Sequence, residues 1–441
     1  MPRVTKKFSR RNFLRLAATA AAVGPFFTFS ESAFAAHKTL KIAKWAHFLP
    51  EFDAWFEGMA RDWGQHHNTH VTVDELSIES VYAQAKAEIK AGKGHDILMF
   101  PWPPAEFQQY VIDHGEIYNA AAMGYGSIPQ IALRSTLNLK TKKYFAFADS
   151  WIPNPLLFFE DAWLASRMPA GPLTYDTLRV GGQQVREKTS LPCGLAFTPT
   201  LEGNITTHTL LYAFNGPLIN VRNRIEVTSP TVGALNFAKL LYEQAGTPDQ
   251  LTWGPGGNVE AMLAGKVSCT LNGIGLLRRA EKQNPDLAKK IMVAPPLLGS
   301  YGVTGYPQVT NCSAVWNFSP NQDAAKRFLA DMIGNSRTIY EKSLGCNFPA
   351  YPKTVPNLIV RLEKDAQAFP PDKYYALKDA LHWTPNLGAP NFSTPTFMEA
   401  FNTFVIPRMF ARAIKGEAAP MDAAHAAEAE IKQIAEKWKD V

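Results

Sequence analysis

Two rhythms of hydrophobic residues alternate along this chain. "TLKIAKW" (Thr39 to Trp45) reads as a strand, and then the period changes: Phe52, Trp55, Phe56, Met59 and Trp63 recur at helical spacing and give a helix one apolar face. "VTVDEL" (Val71 to Leu76) alternates as a half-buried strand does. From Ile78 to Ala91, with Val81, Ala85, Glu88 and Ile89, the pattern predicts a second helix stopped by Gly92, and "DILMF" (Asp96 to Phe100) is an uninterrupted apolar run suited to a central strand. This alternation predicts an α/β fold whose parallel sheet is covered on both faces, with ligands at the carboxyl ends of the strands. The loops after Trp45 and Phe100 are therefore the first places to look. Further on, "SPNQDAAKRFLADMIG" carries Ala324, Ala325, Phe328, Leu329 and Met332 on one side of a helix, with Asn321 or Ser319 as its cap. "NSRTIYEKSLG" is also helical, and Ile431, Ile434, Ala435 and Trp438 mark the face of a terminal helix.

The longest early apolar run, Leu16 to Phe29, falls short of the roughly 20 residues a membrane-spanning helix needs. A basic front (Arg3, Lys6, Lys7, Arg10, Arg11), an Ala-rich middle and a small-x-small end at Ala33-Phe34-Ala35 instead make the three-part layout of an export signal, cleaved after Ala35. Within it, "SRRNFL" (Ser9 to Leu14) resembles the twin-arginine motif read by a translocase of folded proteins. Residues 1–35 are thus expected to be a signal peptide, leaving a soluble protein in the periplasm. No cysteine stands near the cleavage site, so no lipid anchor is expected.

Removing that segment changes the charge picture. Of 45 Lys/Arg and 39 Asp/Glu, the first 35 residues hold six and one, which leaves 39 basic against 38 acidic. A balanced surface without a basic cluster excludes phosphate-backbone binding, so no nucleic-acid partner is expected. The 46% hydrophobic content over about 400 remaining residues exceeds what one core serves and predicts two lobes. Cys193, Cys269, Cys312 and Cys346 are scattered without a C-x-x-C pair, and their pairing stays open among three connectivities and free buried thiols.

Catalytic signatures are missing: no G-x-S-x-G, no phosphate loop, no complete G-x-G-x-x-G and no H-E-x-x-H. The densest histidine group, His66, His67 and His70 in "HHNTH", follows Gly64 and reads as a solvated loop rather than a metal site. Glu51 with Asp53, or Asp372 with Asp379, are carboxylate coincidences in a chain with 39 acids. Aromatics say more. Trp45, Trp102, Trp151, Trp253, Trp316 and Trp383 stand mostly beside Pro, Gly, Asn or Thr, whereas Trp55, Trp63 and Trp438 fit helix faces. Indoles at strand ends beside amides suit a sugar, which offers an apolar face and a rim of hydroxyls. Arg134, Arg222 and Arg278 keep a phosphate or carboxylate ligand in play, and aromatic boxes also hold polyamines.

Four segments in order then carry a resemblance. "AGKGHDILMF", "AFNGPLINVRNRIEVTSPTVGALNFAKLLYE", "VEAMLAGKVSCTLNGIG" (Val259 to Gly275) and "VTNCSAVWNFSPNQDAAKRFLADMI" (Val309 to Ile333) resemble segments of extracellular solute-binding proteins of ABC transporters, sugar-binding and maltose-binding-protein-like. Where that family often has Trp after the Asn-Gly, this chain has Ile274. The resemblance implies a two-lobed type II periplasmic-binding fold, each lobe a mixed sheet flanked by helices. It places residues 36–150 and 271–312 in lobe 1, and 151–270 and 313–441 in lobe 2. Three crossings are expected near Asp149 to Asn154, Gly265 to Thr270 and Gln308 to Ser313. It implies a monomeric receptor without cofactor or catalysis that delivers an uncharged sugar to ABC permease subunits. By matching position, the ligand contacts are Trp45, His47, Trp102, Asp149, Trp151, Glu202, Asn204, Asn272 and Tyr306. An exported polysaccharide hydrolase and a metal receptor are the rival readings.

Overall fold

The computed structural model describes residues 38–300 and 302–440; the expected export segment lies outside them. Nine strands are β1 (Lys38–Trp45), β2 (Thr69–Leu76), β3 (Ile97–Phe100), β4 (Phe147–Ile152), β5 (Leu156–Phe159), β6 (Cys269–Leu271), β7 (Ile291–Ala294), β8 (Val309–Val315) and β9 (Phe348–Pro349). A small hairpin, Leu298–Gly299 with Gly302–Val303, stands apart. One sheet has the order β9-β4-β8-β3-β1-β2, with β1 parallel to β2 and β3, and β8 antiparallel to β3 and β4. The other is β6-β5-β7, antiparallel throughout and prolonged by a parallel bridge between Cys193 and Cys269. Each sheet is the floor of one lobe.

The helical spacing after β1 becomes the helix Pro50–His66, with Pro at its first position and Glu51 and Asp53 complementing its dipole. Its buried Phe52, Phe56, Ala60 and Trp63 pack on the sheet, and the Trp63 ring meets Phe328 of the helix Gln322–Gly334 edge-on at 5.1 Å. β3 is buried at all four positions, as its unbroken apolar run requires of a strand covered on both faces. Asn321 occupies the cap position before Gln322 without a side-chain capping bond; Ser319 instead donates to Asp96 at 2.6 Å, tying that turn to β3. Among the described residues, no helix is long and apolar enough to cross a membrane.

Strand pairing departs from the segment division expected above. β7, inside the 271–312 stretch assigned to lobe 1, hydrogen-bonds β5 in the second sheet, while β8 inserts between β3 and β4 and β9 pairs with β4 in the first. A buried run such as "IMVA" advertises a strand but not its partner, so the expected division sets β7 and β9 in the other lobe and cuts β8 at Cys312. The chain passes between sheets through Pro153-Asn154-Pro155 and again just before Val309; after β9 it is helical, and its turn Lys373–Leu377 packs against β7 of the second sheet. Gly265 to Thr270 runs within the second lobe: Gly265, at φ 66°, turns the chain from the helix Gly257–Leu263 into β6.

Candidate functional site

Loops at the carboxyl ends of β1 and β2 face the second lobe across a cleft of about 210 Å³. Phe48, Ile78 and Glu79 form one wall; Leu201, Glu202, Gly256, Asn272, Leu276 and Arg279 belong to the other, and Gln308 sits at the junction. The volume lies below the roughly 300–1,000 Å³ usual for ligand pockets, which favours a compact solute.

Local sequence explains how the second wall is set. Thr200 caps the helix Leu201–Ala213 by accepting from the Gly203 N–H at 3.2 Å, which holds Glu202 in the first turn at the cleft. A Cβ on Gly203 would lie 1.9 Å from the Thr198 carbonyl oxygen, so only glycine lets the backbone close there. Asn272 follows β6 with its backbone N–H on the Pro155 carbonyl, and its Oδ1 accepts from Gln308 Nε2 at 3.0 Å. Gln308 Oε1 in turn accepts from the Gly273 N–H at 3.1 Å, and the Gln308 N–H bonds the Ile152 carbonyl at 2.9 Å. The amide of Asn272 is thereby aimed and anchored to two interlobe passages. Its Nδ2 keeps no partner although the residue is only 2% exposed, and Glu202 Oε2 is likewise unpartnered. Burial raises the Glu202 carboxyl above its usual range; nearby amides of Glu202 and Gly256 and the Thr200 hydroxyl pull it down, while Glu79 pushes it up. The wall thus holds one carboxylate oxygen and one amide nitrogen without partners, both shielded from solvent in this conformation.

Of the nine residues expected at the site, Glu202 and Asn272 meet in this cleft. Trp45, His47 and Asp149 gather instead around a narrower cavity of about 30 Å³ inside the first lobe. There Trp45 Nε1 donates to Asn311 Oδ1 at 3.0 Å, Asn311 Nδ2 to Ser150 Oγ at 2.9 Å, and Ser150 Oγ to Asp149 Oδ2 at 2.7 Å. His47 Nδ1 accepts from the Leu49 N–H at 3.1 Å, so Nε2 carries the proton toward Asn347 Oδ1 at 3.2 Å; burial lowers this imidazole to about 4 and keeps it neutral. Burial raises Asp149 to about 6. The Trp45 ring reaches the cleft only through Phe48, 5.3 Å away.

Trp102, Asn204 and Tyr306 lie where a C-terminal segment wedges between the lobes. Trp102 stacks on Tyr82 at 5.4 Å and donates to Asn402 Oδ1 at 2.8 Å; Asn402 Nδ2 donates to Glu106 at 2.6 Å, and burial raises that carboxyl to about 7. Asn204 Nδ2 donates to the Phe401 carbonyl at 2.8 Å, and the Tyr306 hydroxyl to the Ala389 carbonyl at 2.6 Å. Trp151 sits inside the first sheet against Phe348, 1% exposed. Sequence reasoning missed Phe48, Glu79, Gln308 and Asn402. The strand-end rule covered the first two, for they follow β1 and β2 directly; nothing periodic marks Asn402.

The other candidates have local roles. Arg278 is engaged by Glu281 at 2.9 Å, Asp365 at 2.5 Å and the Leu344 carbonyl at 2.7 Å; Arg134 contacts the Pro390 carbonyl, and Arg222 is exposed. His67 stacks on Trp63 at 4.2 Å and His70 lies in β2; among the described residues no group of three His, Cys, Asp or Glu has metal-holding geometry. Glu51 pairs with Lys282, and Asp53 with Lys44. The four cysteines are buried and free.

A family model described as bacterial extracellular solute-binding protein matches residues 49–336. No curated protein matches the chain in sequence. Among solved structures, a putative oligosaccharide periplasmic-binding protein from Synechococcus sp. MITs9220 is 19% identical, with 90% of this chain and 100% of that one covered at TM-score 0.77. A sugar transporter from Arthrobacter chlorophenolicus A6 with bound laminaribiose is 13% identical, covering 90% and 99% at TM-score 0.74. Maltose-bound MalE3 of T. maritima is 16% identical, covering 90% and 99% at TM-score 0.72. At such identities the likeness establishes the fold, the two-lobed type II periplasmic-binding architecture.

Proposed function

The chain belongs to the bacterial extracellular solute-binding protein family, and from that membership we propose that it is a periplasmic receptor which captures a small sugar or oligosaccharide between its lobes and delivers it to an ABC permease. The observation that carries this reading is the pair of unpartnered groups, Glu202 Oε2 and Asn272 Nδ2, in a cleft whose opposite wall presents the Phe48 ring. A carboxylate acceptor, an amide donor and an aromatic face match the hydroxyls and apolar face of a pyranose. Glu202, Asn272, Phe48, Glu79 and Gln308 form its first contacts, while Trp45, His47 and Asp149 stiffen the wall behind Phe48. Following the strand pairing, lobe 1 comprises residues 38–152 and 309–349, and lobe 2 the segment between them together with the C-terminal remainder.

A solute touching both walls binds the closed form better than the open one and shifts the population by that difference alone. The passages at 153–155 and before Val309 absorb the rotation, and the permease reads the closed outline. Among the solved relatives, one holds laminaribiose, one maltose, and one is a putative oligosaccharide-binding protein, which supports a sugar here. Calorimetry and small-angle scattering with a disaccharide panel test the reading: saturable binding with a smaller radius of gyration and the sugar recovered intact is expected. A radius unmoved by every sugar, or hydrolysis of any of them, refutes it.

A further inference from the structure

Charges around the cleft are unevenly matched. Arg279 is the cation among its lining residues, and it pairs with Glu260 at 3.3 Å; Lys282, one turn beyond Arg278 on the same helix, pairs with Glu51 across the lobes at 2.8 Å. Glu79 and Glu202 have no ion-pair partner among the described residues, although Glu202 is mostly buried and Glu79 faces it from the opposite lobe. Two uncompensated carboxylates converge on one compact space, beside the unpartnered Nδ2 of the 98%-buried Asn272. A hydroxyl satisfies a lone pair on Glu202 but leaves both charges standing. An ammonium group satisfies the lone pair and the charge together. Asn272 Nδ2 and the Phe48 ring still call for an oxygen and an apolar face on the same molecule, which a simple polyamine lacks.

We infer that the solute is an amino sugar with a free, protonated amine, held between Glu202 and Glu79, with a ring or hydroxyl oxygen on Asn272 Nδ2 and the pyranose face on Phe48. This rests on the sugar-capture reading above and narrows it from an uncharged sugar to a cationic one. Because closure brings Glu79 toward Glu202, the ammonium also removes the repulsion that opposes closure, so ligand charge and lobe motion are coupled.

The test is calorimetry near pH 6 with four probes: a β-1,4-linked glucosamine disaccharide, the same disaccharide N-acetylated, cellobiose and spermidine. The glucosamine disaccharide is expected to bind about thirtyfold tighter than cellobiose or the N-acetylated form, the discrimination a charge-assisted hydrogen bond supplies. Glu202→Gln, which keeps shape and removes charge, is expected to cut that preference to about threefold or less without lowering the melting temperature, and Glu79→Gln to reduce it part-way. Equal or tighter binding of the neutral sugars overturns the inference and leaves sugar capture standing. Binding of spermidine with no sugar bound, or of none of the four, overturns both. A preference for the amine that survives Glu202→Gln with the variant folded overturns the assignment of Glu202.

Discussion

Two cavities lie on either side of the Phe48 ring, and they use the same kinds of residue to opposite ends. In the 30 Å³ cavity of the first lobe, Trp45, Asn311, Ser150 and Asp149 form a hydrogen-bonded chain, His47 closes on Asn347 and Leu49, and Lys44 pairs with Asp53. Among the residues lining the 210 Å³ cleft, Glu202 and Asn272 each leave one buried atom unpartnered. A hydrogen-bonded chain within one lobe rigidifies a wall; polar groups at the boundary between lobes have affinity to offer. An aromatic or acidic side chain near a strand end is therefore not a ligand contact by type alone. What distinguishes the two is where the group stands: Asp149 Oδ1 is also unpartnered, but inside one lobe, whereas Glu202 and Asn272 line the space between lobes.

The comparison breaks most severely at Asp53. Asp53→Ala strands the Lys44 ammonium, 4% exposed, and frees the His47 N–H that donates to Asp53 at 3.0 Å. Breaking a buried pair from one side costs about 3–5 kcal/mol, so chemical denaturation should show a loss of that size. Solute affinity of the remaining folded protein should hold within about threefold, a shift of under 1 kcal/mol.

Next comes Asp149→Asn. The folded-state carboxyl is raised to about 6 by burial, so between about pH 4 and pH 6 the native state holds a proton that the unfolded chain has released, and stability falls as pH rises. His47 runs the other way. Lowered to about 4, it releases its proton in the fold before the unfolded chain does at about 6.5, so its contribution rises with pH over much the same window. His114 and His208, lowered by burial to about 4 and about 3, and Glu106, raised to about 7, also shape the wild-type profile, so the test is the difference: relative to wild type, Asp149→Asn should add an upward slope between about pH 4 and pH 6. The variant should gain up to about 3 kcal/mol at pH 7.5 and nothing below about pH 4. A variant profile parallel to that of the wild type over this range, measured by urea titration, would show that the Asp149 carboxyl is not raised by burial.

Smaller effects come from the cleft itself. Asn272→Ala removes the unpartnered donor and the Gln308 contact, and calorimetry should register about 1–2 kcal/mol of lost solute affinity. Its melting temperature should move little, the reverse of the Asp53 result. Smallest is Lys282→Ala. This ion pair with Glu51 spans the lobes but is 43% and 65% exposed, so its loss should change affinity by less than about 1 kcal/mol, and by less still at high salt.

Much of the first lobe was legible in the chain. Strand and helix periods after Trp45 lead directly to β1, the helix Pro50–His66, β2 and β3, because local burial on a sheet leaves a one-dimensional trace. Trp151 shows where that trace ends. Its place beside Asn154 and Pro155 looks like a strand-end loop, yet β8 and β9 pair on either side of β4 and bury it. Trp102 reads as a loop aromatic too, but Tyr82 and Asn402, the latter 300 positions away, occupy its ring and its N–H. Glu202 and Asn272 came from positions matched through the family resemblance, and in the structure a threonine cap and an Asn-Gly turn set them locally.

The chain by itself determined an alternating α/β architecture, the strand-end loops where a solute is expected, and the membership that a run of ordered segments carries. These follow from short-range rules: backbone hydrogen bonds, side-chain period and turn chemistry act within a few residues. Only the tertiary structure decided which strand joins which sheet, which polar atoms find partners and which two carboxylates face each other uncompensated. Those depend on residues far apart in sequence coming together, such as Glu79 and Glu202 lining one cleft and Trp45 bonding Asn311, and no local period records them.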